Sequence, residues 1–63
     1  MKVNGKEIAF APVTLLEYLL KQQYDPARVV VERNMEIITK ERFGEIMLEE
    51  KDEINILQFM GGG

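Results

Sequence analysis

A chain of 63 residues and 7.3 kDa supports one domain with one small core, too little to enclose a deep catalytic pocket as well. It contains no cysteine and no histidine, which removes a disulfide framework, a thiol nucleophile, an imidazole base and the usual soft metal ligands. The 8 basic residues are scattered among 11 acidic ones for a net charge of −3, so the clustered positive charge used in nucleic-acid binding is missing. No apolar run approaches the ~18 residues of a membrane span. Met1-Lys2-Val3 leads straight into structured sequence, so neither a signal peptide nor a membrane anchor is expected and the cytoplasm is the expected location.

The chain opens on a hairpin signal. Met1–Val3 and Ile8–Phe10 flank Asn4-Gly5, and both residues tolerate the positive φ that a type I′ turn requires. Met1 with Val3, and Ile8 with Phe10, then share inward faces while Lys2 and Glu7 point away. A helix is predicted over about 14–23. Thr14 as N-cap and Glu17 three residues later make a capping box, and Val13 with Tyr18 makes a hydrophobic staple. Leu15, Leu16, Leu19 and Leu20 form one apolar stripe, and Asp25-Pro26 is expected to stop the helix.

Val29–Arg33 is rich in β-branched residues and reads as a strand, Asn34 turns the chain, and Glu36–Ile38 returns it. Lys40–Gly44 is read as one tight helical turn, Ile46–Leu48 as extended and Glu49–Glu53 as a charged turn. Ile54–Met60 is the last strand, with Ile54 and Ile56 on one face and Asn55, Leu57 and Phe59 on the other. The order β-β-α-β-β-β, with one helix for five strands, covers only one side of a sheet. If the first and last strands lie parallel at its centre, the helix makes the crossover. The expected fold class is α+β, a β-grasp (ubiquitin-like) roll over residues 1–60 followed by a glycine tail at 61–63.

Three of the five glycines are the final three residues. A frayed terminus is the plain reading. The chemical reading is a free α-carboxylate on a thin tether of roughly 10 Å, able to thread a channel because glycine has no Cβ. That carboxylate is ionised at neutral pH. Attack of its oxygen on the α-phosphate of ATP expels pyrophosphate and gives an acyl-adenylate. A sulfur nucleophile then attacks the carbonyl and expels AMP. The chain lacks a glycine-rich phosphate loop, so a partner must supply the ATP site and the Mg²⁺.

The opening Val3-Asn4-Gly5-Lys6, the stretch Val31-Glu32-Arg33-Asn34 followed by Glu36-Ile37-Ile38, and the closing Phe59-Met60-Gly61-Gly62-Gly63 stand in an order that resembles, end to end, the ThiS sulfur carriers of thiamine biosynthesis. The resemblance implies a carrier rather than an enzyme, with no cofactor bound by the chain itself. Gly63 is then adenylated by an E1-like enzyme and converted to a thiocarboxylate with sulfur from a donor protein. A thiazole synthase consumes that sulfur, while Gly61 and Gly62 thread the partner's active site. Three alternatives stay open: a molybdopterin-synthase small subunit, a modifier that conjugates its tail to lysine, and a non-covalent ubiquitin-like interaction module.

Leu57, Phe59, Met60 and Val30 form the expected docking patch on the open face, packing beneath a loop being the alternative. The Glu49–Glu53 cluster lacks the spacing of a calcium loop and is expected to be a solvated turn holding no metal. Arg33, Lys40 and Arg42 are expected to be solvated rim charges that tune association rate.

Overall fold

The computed structural model describes residues 1–59. Asn4 and Gly5 adopt φ of 52° and 81°, and the two-residue loop they form sets the register of the first hairpin. β1 (Lys2–Val3) pairs antiparallel with β2 (Lys6–Glu7), Val3 opposite Lys6 and Lys2 opposite Glu7. The return strand therefore begins directly after the turn and is shorter and earlier than the predicted Ile8–Phe10. The Ile8 N–H still donates to the Met1 carbonyl at 2.9 Å, after which Ile8 and Phe10 leave the ladder and pack half-buried against the core.

Thr14 starts the helix as predicted. Its Oγ1 accepts from the Glu17 N–H at 3.1 Å, and Glu17 Oε1 accepts from the Thr14 N–H at 3.0 Å. The Thr14 N–H, together with the Thr14 hydroxyl that donates to the same Oε1 at 3.1 Å, stabilises the ionised carboxylate and holds Glu17 below the ordinary carboxylate range. Helix α1 (Leu15–Lys21) is shorter than the predicted 14–23. Leu15 and Leu19 are fully buried, Leu16 is half-buried and Leu20 is exposed. Leu20 lies about 100° round the axis from Leu19, so the buried stripe is narrower than four leucines.

The stop is a left-handed closure rather than the Asp25-Pro26 pair. Gln23 sits at φ 67°; its N–H donates to Leu20 O at 3.0 Å and that of Tyr24 to Leu19 O at 2.9 Å, the two bonds of a Schellman end. Glutamine has none of glycine's freedom there. Gln23→Gly is expected to stabilise the fold by about 0.5–1 kcal/mol, read as a higher Tm in thermal denaturation. An unchanged or lower Tm would contradict this account of the helix end. Asp25-Pro26 instead opens a second element, the 3₁₀ turn Pro26–Arg28, capped by Asp25 Oδ1 accepting from the Ala27 N–H at 2.9 Å.

β3 (Val29–Arg33), β4 (Glu36–Ile38) and β5 (Glu53–Gln58) complete a sheet of order β2-β1-β5-β3-β4. β1 and β5 run parallel at its interior and the other pairs are antiparallel. Helix α1 lies in the connection from the first hairpin to β3. Its Leu15 and Leu19 meet Val3, Val31, Ile38, Ile54 and Ile56 in one core. The tight helical turn expected within Lys40–Gly44 is a 3₁₀ turn over Lys40–Arg42, and it delivers Phe43 into that core. Ile46–Leu48 is extended as expected but lies outside the sheet, bonded to the start of the helix through Leu15 N–H to Ile46 O at 2.8 Å and Leu48 N–H to Val13 O at 3.0 Å. Among the described residues no element covers the other sheet face.

Candidate functional site: the open sheet face and the end of β5

β5 is the central strand, and strand alternation divides its residues between two environments. Ile54 and Ile56 are buried against the helix side. Leu57 is 64% exposed and Phe59 is 59% exposed, so neither packs beneath a loop. Val30 stands directly opposite Leu57 in the β3–β5 ladder and is half-buried. Beside them, Asn55 Nδ2 donates to Glu32 Oε1 at 3.1 Å.

Ile37 belongs to the same face, opposite Glu32 on β4 and 59% exposed. Sequence reasoning missed it, although the signal was present. Two consecutive isoleucines in a strand must point to opposite faces, and Ile38 takes the buried one. The open face thus carries the apolar side chains of Leu57, Phe59, Val30 and Ile37, with the Glu32–Asn55 pair among them. Met60, the fourth residue of the predicted patch, and Gly61, Gly62 and Gly63 lie outside the described residues.

β5 is held at both ends by atoms distant in sequence. The Asn4 N–H donates to Ile54 O at 2.8 Å, and Asn4 Oδ1 accepts from the Ile56 N–H at 2.7 Å. The asparagine that makes the first turn therefore also extends the β1–β5 pairing. At the far end the Phe59 N–H donates to Arg28 O at 2.8 Å, and Gln58 Oε1 accepts from the Asp25 N–H at 3.1 Å. The Pro26–Arg28 turn and its cap thus fix the strand up to its last described residue.

The Glu49–Glu53 segment departs from the expected solvated turn. Asp52 is 2% exposed. Its Oδ1 accepts from Asn34 Nδ2 at 3.0 Å, and its Oδ2 accepts from Arg33 Nε at 3.0 Å and from the Glu49 N–H at 2.8 Å. Arg33 is correspondingly no free rim charge, since its Nη2 also reaches Glu49 Oε2 at 3.2 Å. Burial pushes the Asp52 carboxyl up, but the bonds from Asn34, Glu49 and Arg33 and the Arg33 charge outweigh it and hold the group below the ordinary range. Asn34 N–H and Oδ1 bond Glu53 O at 2.9 Å and Glu53 N–H at 3.0 Å, tying the β3–β4 turn to the start of β5. Lys40 Nζ donates to Ala27 O at 2.6 Å, and Arg42 is exposed as expected. Among the described residues no group of three or more His, Cys, Asp or Glu is placed to hold a metal ion, and no helix is long and apolar enough to cross a membrane.

A sequence model of the ThiS family matches residues 1–63. The chain belongs to the ThiS family. It is 40% identical over 65 aligned residues to the sulfur carrier protein ThiS of Bacillus subtilis (strain 168), covering 100% of this chain and 98% of that one. Proteins named thiazole synthase from Paramagnetospirillum magneticum and Magnetococcus marinus are 36% identical over 62 residues, and there the chain spans only 19% of the relative's length. A crystal structure of the thiamine biosynthesis protein ThiS from Geobacter metallireducens superposes with a TM-score of 0.77 at 32% identity, covering 98% of this chain and 96% of that one. A solution structure from the same organism gives a TM-score of 0.76 at the same identity, covering 98% of this chain and 85% of that one. The β-grasp expected from the order of elements is the fold of this ThiS-family chain.

Proposed function

We propose that this ThiS-family chain is a sulfur carrier for the formation of the thiamine thiazole, and that the carboxylate of Gly63 is its reacting group. The observation that carries the reading is the match at 40% identity to a sulfur carrier along the whole chain. The geometry of β5 supports it: a strand fixed at both ends, flanked by exposed apolar side chains, runs out toward Gly61-Gly62-Gly63. An E1-like partner holds ATP and Mg²⁺; the Gly63 oxygen attacks the α-phosphate and pyrophosphate leaves. A persulfide sulfur on a donor protein then attacks the carbonyl and displaces AMP. A thiol cleaves the resulting acyl disulfide at the donor's sulfur, forming a disulfide with the donor and releasing Gly63 as a thiocarboxylate. The chain turns nothing over itself and binds no cofactor; it is a co-substrate of enzymes in the cytoplasm. A thiazole synthase as the client is supported by the ThiS-like unit within two proteins of that name. The same unit favours the thiazole branch over molybdopterin synthesis or lysine conjugation.

Reconstitution tests this. The chain, an E1-like adenylating enzyme, ATP, Mg²⁺, a sulfur donor and thiazole synthase together should yield thiazole product, and omission of the chain should abolish it. Product formed equally well without the chain would overturn the reading.

Leu57 is the centre of the docking surface in this proposal. Leu57→Asp is expected to weaken the complexes with both enzymes by about tenfold or more, while Tm stays close to wild type because the side chain is mostly in water. Titration calorimetry and thermal denaturation check the two halves. An unfolded variant would place Leu57 in the core instead.

A further inference from the structure

The β3–β4 turn carries a strain that its own chain does not explain. Asn34 and Met35 both occupy left-handed backbone, at φ 51° and 70°. Asn34 has local reasons to be there, through its bonds to Asp52 and Glu53, and asparagine tolerates the region. Met35 has none. Glycine is the residue that a type I′ turn favours at this position, yet an unbranched apolar side chain stands there 92% exposed. Ile37, two residues on, is exposed as well and belongs to the open sheet face.

The charges around this tip are acidic in excess, because its one adjoining cation, Arg33, is already paired with Asp52 and Glu49. Glu36 follows Met35 directly, Glu53 is bonded through its backbone to Asn34, and Glu49 is bonded to Arg33. The tip lies at the opposite end of β5 from the tail, since Arg33 pairs with Ile54. Five residues of strand, about 17 Å, separate Ile54 from Phe59. A contact here is thus remote from the tail that every enzyme acting on Gly63 must admit, which suits it to telling one enzyme from another.

We propose that Met35, supported by Ile37, is a second anchor for thiazole synthase, entering an apolar socket on the synthase that is rimmed by basic side chains. The proposal rests on the function proposed above. The acidic surroundings set the sign of the rim, and the strained backbone holds the methionine outward where none of the described residues covers it. The synthase is the chosen occupant because two proteins named thiazole synthase carry, within 19% of their own length, a stretch that matches 97% of this chain.

The test uses the full-length unmodified chain and purified thiazole synthase, with binding kinetics read on a sensor surface and Tm measured in parallel. Met35→Gly should raise Tm by relieving the strain, yet dissociate from the synthase about tenfold faster. Met35→Asn, which tolerates the same backbone, should show the same faster dissociation, and Met35→Leu should restore wild-type binding. Adenylation of all three variants by the E1-like enzyme should match wild type, and added salt should weaken synthase binding by wild type. Wild-type dissociation of Met35→Gly and Met35→Asn from the synthase would overturn the proposal, as would equal losses toward both enzymes. A Tm for Met35→Gly that does not rise, or no synthase binding by wild type, would overturn it too. Failure of the sulfur-carrier reading is seen separately, as the absence of any mass change at Gly63.

Discussion

Asp52→Ala is expected to lower Tm by about 12–24 °C, the largest loss of stability in the molecule outside its apolar core. Removing one partner from a fully buried charge pair costs about 3–5 kcal/mol. Here Asp52 is buried and Arg33 half-buried, which puts the cost at the lower end, about 3 kcal/mol, and 1 kcal/mol shifts a domain of this size by about 4–8 °C. A 63-residue fold has roughly 3–9 kcal/mol in all, so the variant is close to unfolding at 37 °C. Three donors converge on the one carboxylate, and the alanine leaves the Glu49 N–H and Asn34 Nδ2 without their acceptor.

The same carboxylate makes stability depend on pH. Its folded value is depressed, so the unfolded chain takes up the proton first as pH falls. The stabilisation is complete above the ordinary carboxylate range of about 4 and is lost as pH drops through the lower folded value. Glu7 and Glu17 are lowered too, Glu7 by its hydrogen bond to the terminal ammonium, and they act with the same sign. The difference between wild type and Asp52→Asn therefore isolates the Asp52 part. Tm of wild type should fall more steeply below pH 4 than that of Asp52→Asn, and parallel curves would contradict the network.

Deleting Gly63 should abolish thiazole formation entirely while moving Tm by less than about 2 °C, a displacement within the reach of ordinary surface changes. Among the described residues the core runs from Met1 to Ile56, and the last bond holding β5 is made by Phe59. The truncated chain still ends in a carboxylate, now one residue short. At roughly 3.3–3.6 Å per extended residue, that carboxylate falls outside the adenylating geometry, where even 1 Å of misplacement is costly. Activity retained by the truncated chain would move the reacting group elsewhere. A large fall in Tm would mean that Gly63 is part of the fold. The two variants thus fail in opposite ways, Asp52→Ala by unfolding and the truncation while folded.

The features legible in the sequence are those whose signal is local. Asn4-Gly5 announces its turn within two residues, Thr14 and Glu17 announce the helix start within four, and alternation in Ile54–Leu57 sorts core from surface. From these the parallel pairing of β1 and β5 followed by topology, and with it the open face. Features that depend on distant partners were not legible. Asp52 looks like any acid in a charged run until Arg33 and Asn34, 19 and 18 residues away, are folded against it. Gln23 carries no helix-stop signal, because glutamine ordinarily avoids the left-handed region that the closing hydrogen bonds impose. The shift of β2 toward the turn reflects competition: Ile8 and Phe10 alternate well enough for a strand, but the core lies where the chain must leave the ladder to reach it. At the candidate site, Leu57, Phe59 and Val30 were read from periodicity alone, while Ile37 needed the partner face of Ile38 to be considered with it.

The intact mass of the chain after incubation with an E1-like adenylating enzyme, ATP, Mg²⁺ and a sulfur donor addresses the central claim most directly. The account predicts a species heavier by the difference between one sulfur and one oxygen atom, with fragmentation placing the change at Gly63. A mass that stays unchanged under those conditions, or a sulfur atom located at any other residue, would contradict it.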